Sequence, residues 1–445
     1  MISSCYFYVA FVPIYILILG FTIVIDYFAG IYIENAEGKR RKLGLLFSLI
    51  ANIGVLAIFK YYNFINHNFS FLLQGFGLSN PIPYLSILLP IGLSFHTFQA
   101  MSYTIEVYRG HQKAEKHFGI YSLYVMFYPQ LVAGPIERPQ NLLHQFREKY
   151  NFEYDRVVEG LKLMLWGLFK KLVIADRLAI YVDAVYNNPD QHNGMTFVLA
   201  TIFFAFQIYC DFSGYSDIAI GAAKVMGFKL MTNFERPYLA RNISEFWKRW
   251  HISLSTWFKD YLYISLGGNK VSVPRWYFNL FLVFLISGLW HGANWTFIIW
   301  GTLNGFYLVF AVISQGFRNK ISRLTGIEKL PGLNTLLQVL TTFMLSCFAW
   351  IFFRANNVTD AFAIIKKIST FNGPIFFQNP SMSIYSVSGI FILLFVEFKK
   401  EYYRGDFSFF NNKSWIVRNL SYALLIILIL LIGVFDGGQF IYFQF

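Results

Sequence analysis

Residues 196–222 read TFVLATIFFAFQIYCDFSGYSDIAIGA, an almost uninterrupted run of apolar side chains. An α-helix needs about 20 such residues to cross the hydrocarbon core of a bilayer, because it rises only about 1.5 Å per residue. Inside lipid, a helix also satisfies its own backbone N–H and C=O groups, which an open strand or a loop cannot do. The run therefore predicts a membrane-spanning α-helix.

Similar runs recur along the whole chain of 445 residues, of which 56% are hydrophobic and only 14% charged. With a mean hydropathy of +0.47, the chain carries more apolar surface than a soluble protein can bury. The predicted fold class is all-α, a polytopic integral membrane protein with about 10–11 membrane helices. We treat residues 1–445 as a single membrane domain. The predicted membrane segments are 5–33, 43–59, 85–107, 121–133, 157–182, 196–222, 279–288, 295–313, 336–352, 386–396 and 422–435.

Some of these segments are too short to cross a bilayer alone. The segment 121–133, which Pro135 follows, and the region around His251 are therefore predicted to be re-entrant or interfacial helices.

The formal net charge of +13 arises largely from Lys and Arg in short loops between the apolar segments. Membrane topology and contact with anionic lipids explain this distribution better than binding to nucleic acid does. The cysteines Cys5, Cys210 and Cys347 are scattered in apolar stretches without a C-x-x-C spacing. We expect neither a disulfide framework nor a bound metal.

Two Trp-His pairs distinguish the chain from a generic membrane protein, and the first closes the motif FWKRWH at His251. Plotted at 100° per residue, segment 246–262 forms an amphipathic helix with His251 on the same face as Trp250 and with Lys248 and Arg249 opposite. One interpretation is an interfacial helix with an aromatic belt. The other is a functional histidine, because imidazole exchanges a proton near neutral pH.

The second pair lies in the motif SGLWHG, where Trp290 precedes His291. Gly288 and Gly292 have the G-x-x-x-G spacing that lets helix backbones approach closely, so His291 is predicted to lie inside a tight bundle. Trp290 would form an aromatic wall beside His291, and Asn294 could offer His291 a hydrogen bond. A structural histidine that joins helices is the alternative interpretation.

Other ionisable residues interrupt apolar segments without forming a recognisable site. They are Asp211 and Asp217 in one segment, and Lys170, Lys171, Asp176 and Arg177 in another. Mutual pairing would make them a structural ion network, and a substrate channel is equally compatible with the pattern, so we assign them no catalytic role. The sequence has no Walker loop, no H-E-x-x-H and no G-x-S-x-G, which argues against an ATP-driven pump, a zinc protease and a serine hydrolase.

Five motifs in order resemble the membrane-bound O-acyltransferase family over nearly the whole chain, and most closely its bacterial branch in alginate O-acetylation and teichoic acid D-alanyl transfer. The motifs are 92–99 (GLSFHTFQ), 128–136 (YPQLVAGPI), 211–215 (DFSGY), the Trp250-His251 helix and the Trp290-His291-Gly292 turn. The resemblance implies a ring of helices around a thin core, where a cytoplasmic funnel meets an external opening. It further implies that His291 is the catalytic histidine, that Trp250-His251 is the supporting motif and that the protein resides in a bacterial cytoplasmic membrane.

The resemblance also implies an acyl thioester donor on the cytoplasmic side, either acyl-CoA or an acyl carrier, and a polysaccharide acceptor outside, served by a separate extracytoplasmic acetyltransferase. Members of the family usually carry a further hydrophobic helix before the segment matched by Tyr6-Phe7-Tyr8, so the family's first helix is expected to be missing from this chain. No bound cofactor is expected, and acetyl-CoA is the preferred donor substrate.

The hypothesis for the mechanism makes His291 the general base for the attacking hydroxyl group. His251, or the ring N–H of Trp250 or Trp290, would donate to the developing oxyanion. Lys248 and Arg249 would attract the phosphates of the donor, and Asn294 would contact substrate. Three alternatives stay open: D-alanyl transfer to teichoic acid, a lipid or sugar transporter with proton-relay histidines, and a structural scaffold.

Overall fold

A computed structural model describes residues 1–10, 12–86, 90–377, 379–403, 412–435 and 440–441, without the side chains of residues 380, 382 and 383. These residues form helices, and no strand occurs among them. The all-α prediction is confirmed. Residue 11 of the first predicted membrane segment and residues 87–89 of the third lie outside the described residues.

The described chain forms two compact units, one of residues 1–161 and 219–231 and the other of residues 162–218 and 232–445. The helices of the first unit are α1 Ile2–Val9, α2 Tyr15–Asn35, α3 Gly38–Leu56, α4 Tyr62–Gly75, α5 Leu93–Arg109, α6 Phe118–Met126, α7 Pro139–Leu142 and the first part of α8 Tyr154–Leu168. Those of the second are α9 Asp176–Tyr186, most of α10 Gly194–Val225, α11 Ile243–Arg249, α12 Ile252–Phe258, α13 Val273–His291, α14 Trp295–Ile313, α15 Gln315–Leu324, α16 Pro331–Arg354, α17 Val358–Thr370, α18 Pro380–Tyr402 and α19 Trp415–Ile432.

Seven helical stretches among the described residues are long and apolar enough to cross a membrane. They are Tyr15–Asn35, Gly38–Gly75, Gly194–Val225, Val273–His291, Trp295–Ile313, Pro331–Arg354 and Trp415–Ile432. The segment 121–133 contains only the end of α6 followed by turns, so it is too short to cross alone, as predicted.

Several predicted segments have different bounds in the structure; segment 279–288, for example, lies within the longer α13. The first two segments differ as well. The first, 5–33, is divided into α1 and α2, and Pro13, which has no backbone N–H to donate, lies at the break. The second, 43–59, is too short, because α3 continues through the π-helical turn Ala57–Tyr61 into α4. Further π-helical turns, Phe169–Ala175 and Lys259–Tyr263, follow α8 and α12.

Glycines bring α13 and α14 close together in the second unit. A Cβ atom on Gly288 would lie 2.4 Å from the carbonyl oxygen of Phe297, and one on Gly301 would lie 2.4 Å from the carbonyl oxygen of Phe284. Neither position can accept a side chain without displacing the facing backbone. The predicted tight packing around the second Trp-His pair is confirmed, and it fixes where α13 ends.

Candidate active site

The first Trp-His pair lies at a break between two short helices, and the prediction of one amphipathic helix over 246–262 is wrong. Helix α11 begins after Asn242, whose side chain accepts a hydrogen bond from Glu245 N at 2.9 Å, and ends at Arg249. Trp250 is extended, with φ −103° and ψ 128°, and His251 is left-handed, with φ 43° and ψ 55°. Helical periodicity cannot detect such a reversal, because it assumes the same rotation at every residue.

The break directs the His251 ring into the interior, where the side chain is 1% exposed. Its ring centroid lies 4.5 Å from that of Phe212 on α10, 6.3 Å from Phe234 and 6.2 Å from Trp290. The predicted inward orientation is therefore confirmed. Helices α11 and α12 lie outside the seven spanning stretches, and burial lowers the pKa of His251 to about 3, so its imidazole is neutral at physiological pH.

His291 is the last residue of α13, and its side chain is 4% exposed. Its ring lies 4.9 Å from Trp300, 5.4 Å from Phe353 and 5.0 Å from Trp290, measured between centroids. The Trp290 ring therefore adjoins both histidine rings. The structure places the two histidines that were predicted to be catalytic against the same indole, which is one of the predicted aromatic walls.

Trp250 adjoins this group without entering the space between the histidines. Its ring packs 5.1 Å from Trp350 and 5.2 Å from Phe234, and its side chain is 1% exposed. Trp350 in turn stacks on Trp300 with the ring planes inclined by 20°. Trp250 therefore belongs to an aromatic wall behind the histidines.

The two predicted basic residues differ in their surroundings. Lys248 is exposed on α11, whereas Arg249 is half-buried and donates hydrogen bonds to Glu245 at 2.7 Å and to Glu401 at 2.8 Å. Glu401 also accepts from Arg236 at 2.7 Å. The charge of Arg249 is balanced within the protein, and that of Lys248 faces outward.

Asn294 begins α14 immediately after the second Trp-His pair. Its side-chain oxygen accepts from Thr296 N at 3.0 Å, and its amide nitrogen donates to the carbonyl oxygen of Asn356 at 3.3 Å. These are the bonds of a helix N-cap. The residue therefore fixes the start of α14 three positions after His291.

Five of the six ionisable residues in the apolar segments pair with one another, which was one of the two predicted arrangements, whereas Arg177 donates to the main-chain oxygen of Ile432 at 2.8 Å. Lys171 lies 2.6 Å from Asp211 and 2.7 Å from Asp176, and Lys170 lies 2.7 Å from Asp217. Pairing at these distances offsets the cost of removing the charges from water. The pairs link the π-helical turn 169–175 to α10, which also carries Phe212 beside His251.

Sequence reasoning missed Trp300, Phe353 and Glu401. The sequence offered a weak signal for Trp300, which directly precedes the closely packed Gly301. It offered none for Glu401, because 152 positions separate it from Arg249. Only the three-dimensional arrangement of α18 and α11 joins them.

Known proteins resemble this chain over the residues that carry the site. The profile of the membrane-bound O-acyltransferase family matches residues 109–354. A probable alginate O-acetylase of Pseudomonas aeruginosa is 39% identical over 374 residues, 83% of this chain and 69% of that protein. A peptidoglycan O-acetyltransferase of Helicobacter pylori is 36% identical over 400 residues, 84% and 73% of the two chains. A teichoic acid D-alanyltransferase of Streptococcus thermophilus is 28% identical over 302 residues, 63% and 69%.

The family profile covers more than half of the sequence and contains both histidines together with Trp290, Trp300 and Phe353. The relatives are bacterial, and seven helical stretches of the described chain can span a membrane. The chain therefore belongs to the membrane-bound O-acyltransferase family and is a multi-pass acyltransferase of the bacterial inner membrane.

Proposed function

We propose that this enzyme moves an acetyl group from cytoplasmic acetyl-CoA across the membrane for O-acetylation of an extracytoplasmic polysaccharide. The proposal rests on relatives named for alginate and peptidoglycan O-acetylation, at 39% and 36% identity, against 28% for the D-alanyltransferase. A polysaccharide offers hydroxyl groups, and a thioester is an activated acyl donor. The enzyme then has to supply a base and an oxyanion donor.

The contact of the Trp290 ring with both histidine rings supports the proposal. His291 acts as the general base: it removes the proton from the acceptor hydroxyl while the oxygen attacks the thioester carbonyl carbon. The tetrahedral intermediate then collapses, the carbon–sulfur bond breaks, and the thiolate takes up the proton from the imidazolium.

An oxyanion forms in this step and needs a hydrogen-bond donor. His251 and Trp290 are the candidate donors: their ring centroids lie 6.2 Å apart, and the centroid of the Trp290 ring lies 5.0 Å from that of His291. Either can donate to the carbonyl oxygen as charge develops. Trp250 supports them from behind, and Asn294 contacts substrate from the start of α14.

The donor's phosphates bind the exposed Lys248 in this proposal. Arg249 contributes to the positive field, but its hydrogen bonds go to Glu245 and Glu401. In this proposal the attacking hydroxyl belongs to a partner, an extracytoplasmic acetyltransferase, which receives the acetyl group as an ester and passes it to a hydroxyl of the polymer. A small carrier protein in place of coenzyme A would be the donor if the enzyme transferred D-alanine.

The test uses inverted membrane vesicles that expose the cytoplasmic face to radiolabelled acetyl-CoA, with the acceptor polymer and the partner protein inside. Wild type is compared with His291→Ala and with His67→Ala, which removes an exposed histidine on α4. We expect label in the polymer with wild type and His67→Ala, and a loss of at least about a hundredfold with His291→Ala at equal protein level. Equal labelling by His291→Ala would remove it as the base.

Two further outcomes separate the alternatives. No labelling by any variant, together with labelling from a D-alanyl carrier protein, would establish D-alanyl transfer. Polymer precursor or lipid that crosses the membrane without acquiring an acyl group would favour a transporter.

A further inference from the structure

Asn233, a fully buried polar residue between α10 and α11 in the chain, is hydrogen-bonded to the residues next to the left-handed backbone at His251. We propose that Asn233 is a positioning residue for His251, so that its amide sets the direction in which the imidazole points. The inference rests on the proposed function, since it assigns Asn233 a part in the acyl-transfer step. Asn233 itself is not placed beside the reacting atoms.

Asn233 bonds to the two residues that follow His251. The main-chain carbonyl oxygen of Asn233 accepts a hydrogen bond from Ile252 N at 2.9 Å. Its side-chain oxygen accepts from Ser253 N at 3.2 Å and from Ser253 Oγ at 2.9 Å. These bonds satisfy backbone N–H groups at the start of α12, which have no partners within the helix.

The amide nitrogen of Asn233 anchors the residue on its other side. It donates to Ser216 Oγ at 3.2 Å, and Ser216 lies on α10 one helical turn after Phe212, which contacts the His251 ring. Both ends of the amide are therefore used. Helix α10 therefore carries both Phe212, which contacts the His251 ring, and Ser216, which anchors Asn233.

A further main-chain hydrogen bond lies on the N-terminal side of His251. Glu235 N donates to the carbonyl oxygen of Arg249 at 2.8 Å, two residues before His251. Segment 233–235 thus brackets the break between α11 and α12 from both ends. A left-handed residue other than glycine is unfavourable by itself and persists only where its neighbours fix it, and such residues cluster at functional sites.

Loss of the Asn233 side chain would remove the bonds to Ser253 and Ser216, so that only the main-chain bonds from Ile252 and Glu235 would remain. The backbone at His251 could relax toward an ordinary helical conformation, which would continue α11 into α12 and rotate the imidazole away from Trp290. A shift of about 1 Å in a reacting group lowers a rate by about a hundredfold, so the expected effect is on turnover and not on donor affinity. Ser216→Ala keeps the acceptor for Ser253 and removes only the partner of the Asn233 amide nitrogen.

The test compares Asn233→Ala and Ser216→Ala in the acetyl-transfer assay. We expect Asn233→Ala to lower kcat about 30- to 100-fold with an unchanged KM for acetyl-CoA, and Ser216→Ala to stay within about fivefold of wild type. An Asn233→Ala protein with the kcat of wild type would overturn the proposal. A Ser216→Ala protein as impaired as Asn233→Ala would overturn the assignment to the side-chain acceptor.

A double-mutant cycle with His251→Ala tests whether Asn233 acts through His251. If it does, Asn233→Ala should add no further loss to the residual activity of His251→Ala. Equal fold losses in both backgrounds would overturn the proposal. An inactive wild type, or a fully active His251→Ala, would instead overturn the proposed function or the assignment of His251, and the two failures are thus distinguishable.

Hydrogen exchange of the purified protein tests the same constraint without substrate. In Asn233→Ala, amide exchange in a peptide covering 250–258 should become at least about tenfold faster, while peptides from α13 and α14 stay unchanged. Unchanged exchange at 250–258 would contradict the proposal, whatever the acetyl-transfer assay shows. Faster exchange throughout the protein would show general unfolding, and that result would contradict the proposal as well.

Discussion

Arg249 and Glu401 form a half-buried ion pair with 2.8 Å between the guanidinium nitrogen and the carboxylate oxygen, and both side chains are less than one-fifth exposed. The pair ties the last residue of α11 to the end of α18. The break at Trp250 and His251 follows directly after Arg249. The ion pair therefore fixes one end of the segment that carries the supporting histidine.

Replacing Glu401 by glutamine should destabilise the protein by about 1–3 kcal/mol, because Arg249 and Arg236 each lose a charged acceptor in a half-buried position. The measurement is the midpoint of thermal unfolding in detergent. Glu328→Gln, which changes an exposed carboxylate, is the control and should leave the midpoint unchanged. Equal midpoints for Glu401→Gln and wild type would show that the pair contributes nothing measurable.

The same carboxylate makes stability depend on acid pH. Burial raises the pKa of Glu401, but hydrogen bonds from Arg249 and Arg236 outweigh burial and hold the pKa below its usual value. The stabilisation is therefore present above the unfolded pKa of about 4.3 and is lost as the pH falls through the lower folded value. Unfolding midpoints measured downward from about pH 6 should fall more steeply for wild type than for Glu401→Gln. Parallel curves would contradict this assignment.

Lys248 and Arg249 should behave differently although they are neighbours. Lys248→Gln removes an exposed charge, so the KM for acetyl-CoA should rise about three- to tenfold with kcat unchanged, and the effect should fade at high salt. Arg249→Gln breaks the bonds to Glu245 and Glu401 and should lower kcat and stability instead. Steady-state kinetics at two salt concentrations distinguish them, with Lys329→Gln as the exposed control. A fall in kcat with Lys248→Gln would sink the phosphate-binding assignment.

The close approach of α13 and α14 predicts a strong effect of one methyl group. Gly288→Ala would place Cβ 2.4 Å from the carbonyl oxygen of Phe297, so the helices must separate at a cost of about 1–3 kcal/mol or more. Because α13 ends at His291, acyl transfer should also decline. Gly54→Ala, in another spanning stretch where nothing lies within 4 Å, is the matched control. Thermal unfolding and activity are measured on both, and equal values would contradict the packing argument.

Trp290→Phe should lower acyl transfer about tenfold or more while leaving folding intact, since phenylalanine keeps an aromatic ring beside both histidines but removes the indole N–H. Trp276→Phe, at the start of the same helix, is the control. The measurement is kcat at saturating acetyl-CoA with protein level matched. Wild-type turnover by Trp290→Phe would leave His251 as the proposed oxyanion donor.

Hydropathy was sufficient to predict an all-helical membrane protein, because each spanning stretch must be apolar over its whole length. The G-x-x-x-G spacing correctly predicted close packing at Gly288, since that spacing acts between neighbouring helices. The predicted inward direction of His251 was correct as well, but for a helix that does not exist in that form. Helical periodicity therefore predicted the correct direction for the His251 side chain but the wrong backbone conformation at residues 250–251.

The remaining parts of the site depend on residues far apart in the sequence. Asn233 sets the conformation of the chain around His251, and Glu401 holds Arg249 from 152 positions away. Neither residue belongs to a recognisable motif, because polar residues are common in loops and at helix ends whether or not they have a function. Their significance arises only from the groups they face once the helices are assembled.

The indole rings beside the histidines also provide an intrinsic fluorescence signal from the site. Trp290 lies 5.0 Å from His291 and Trp300 lies 4.9 Å from it, and both are shielded from solvent. Indole emission shifts in wavelength with the polarity of its surroundings and changes in intensity beside a protonated imidazole. Arrival of an acyl donor, or transfer of a proton to the histidine, can therefore be followed by intrinsic fluorescence in an unlabelled protein.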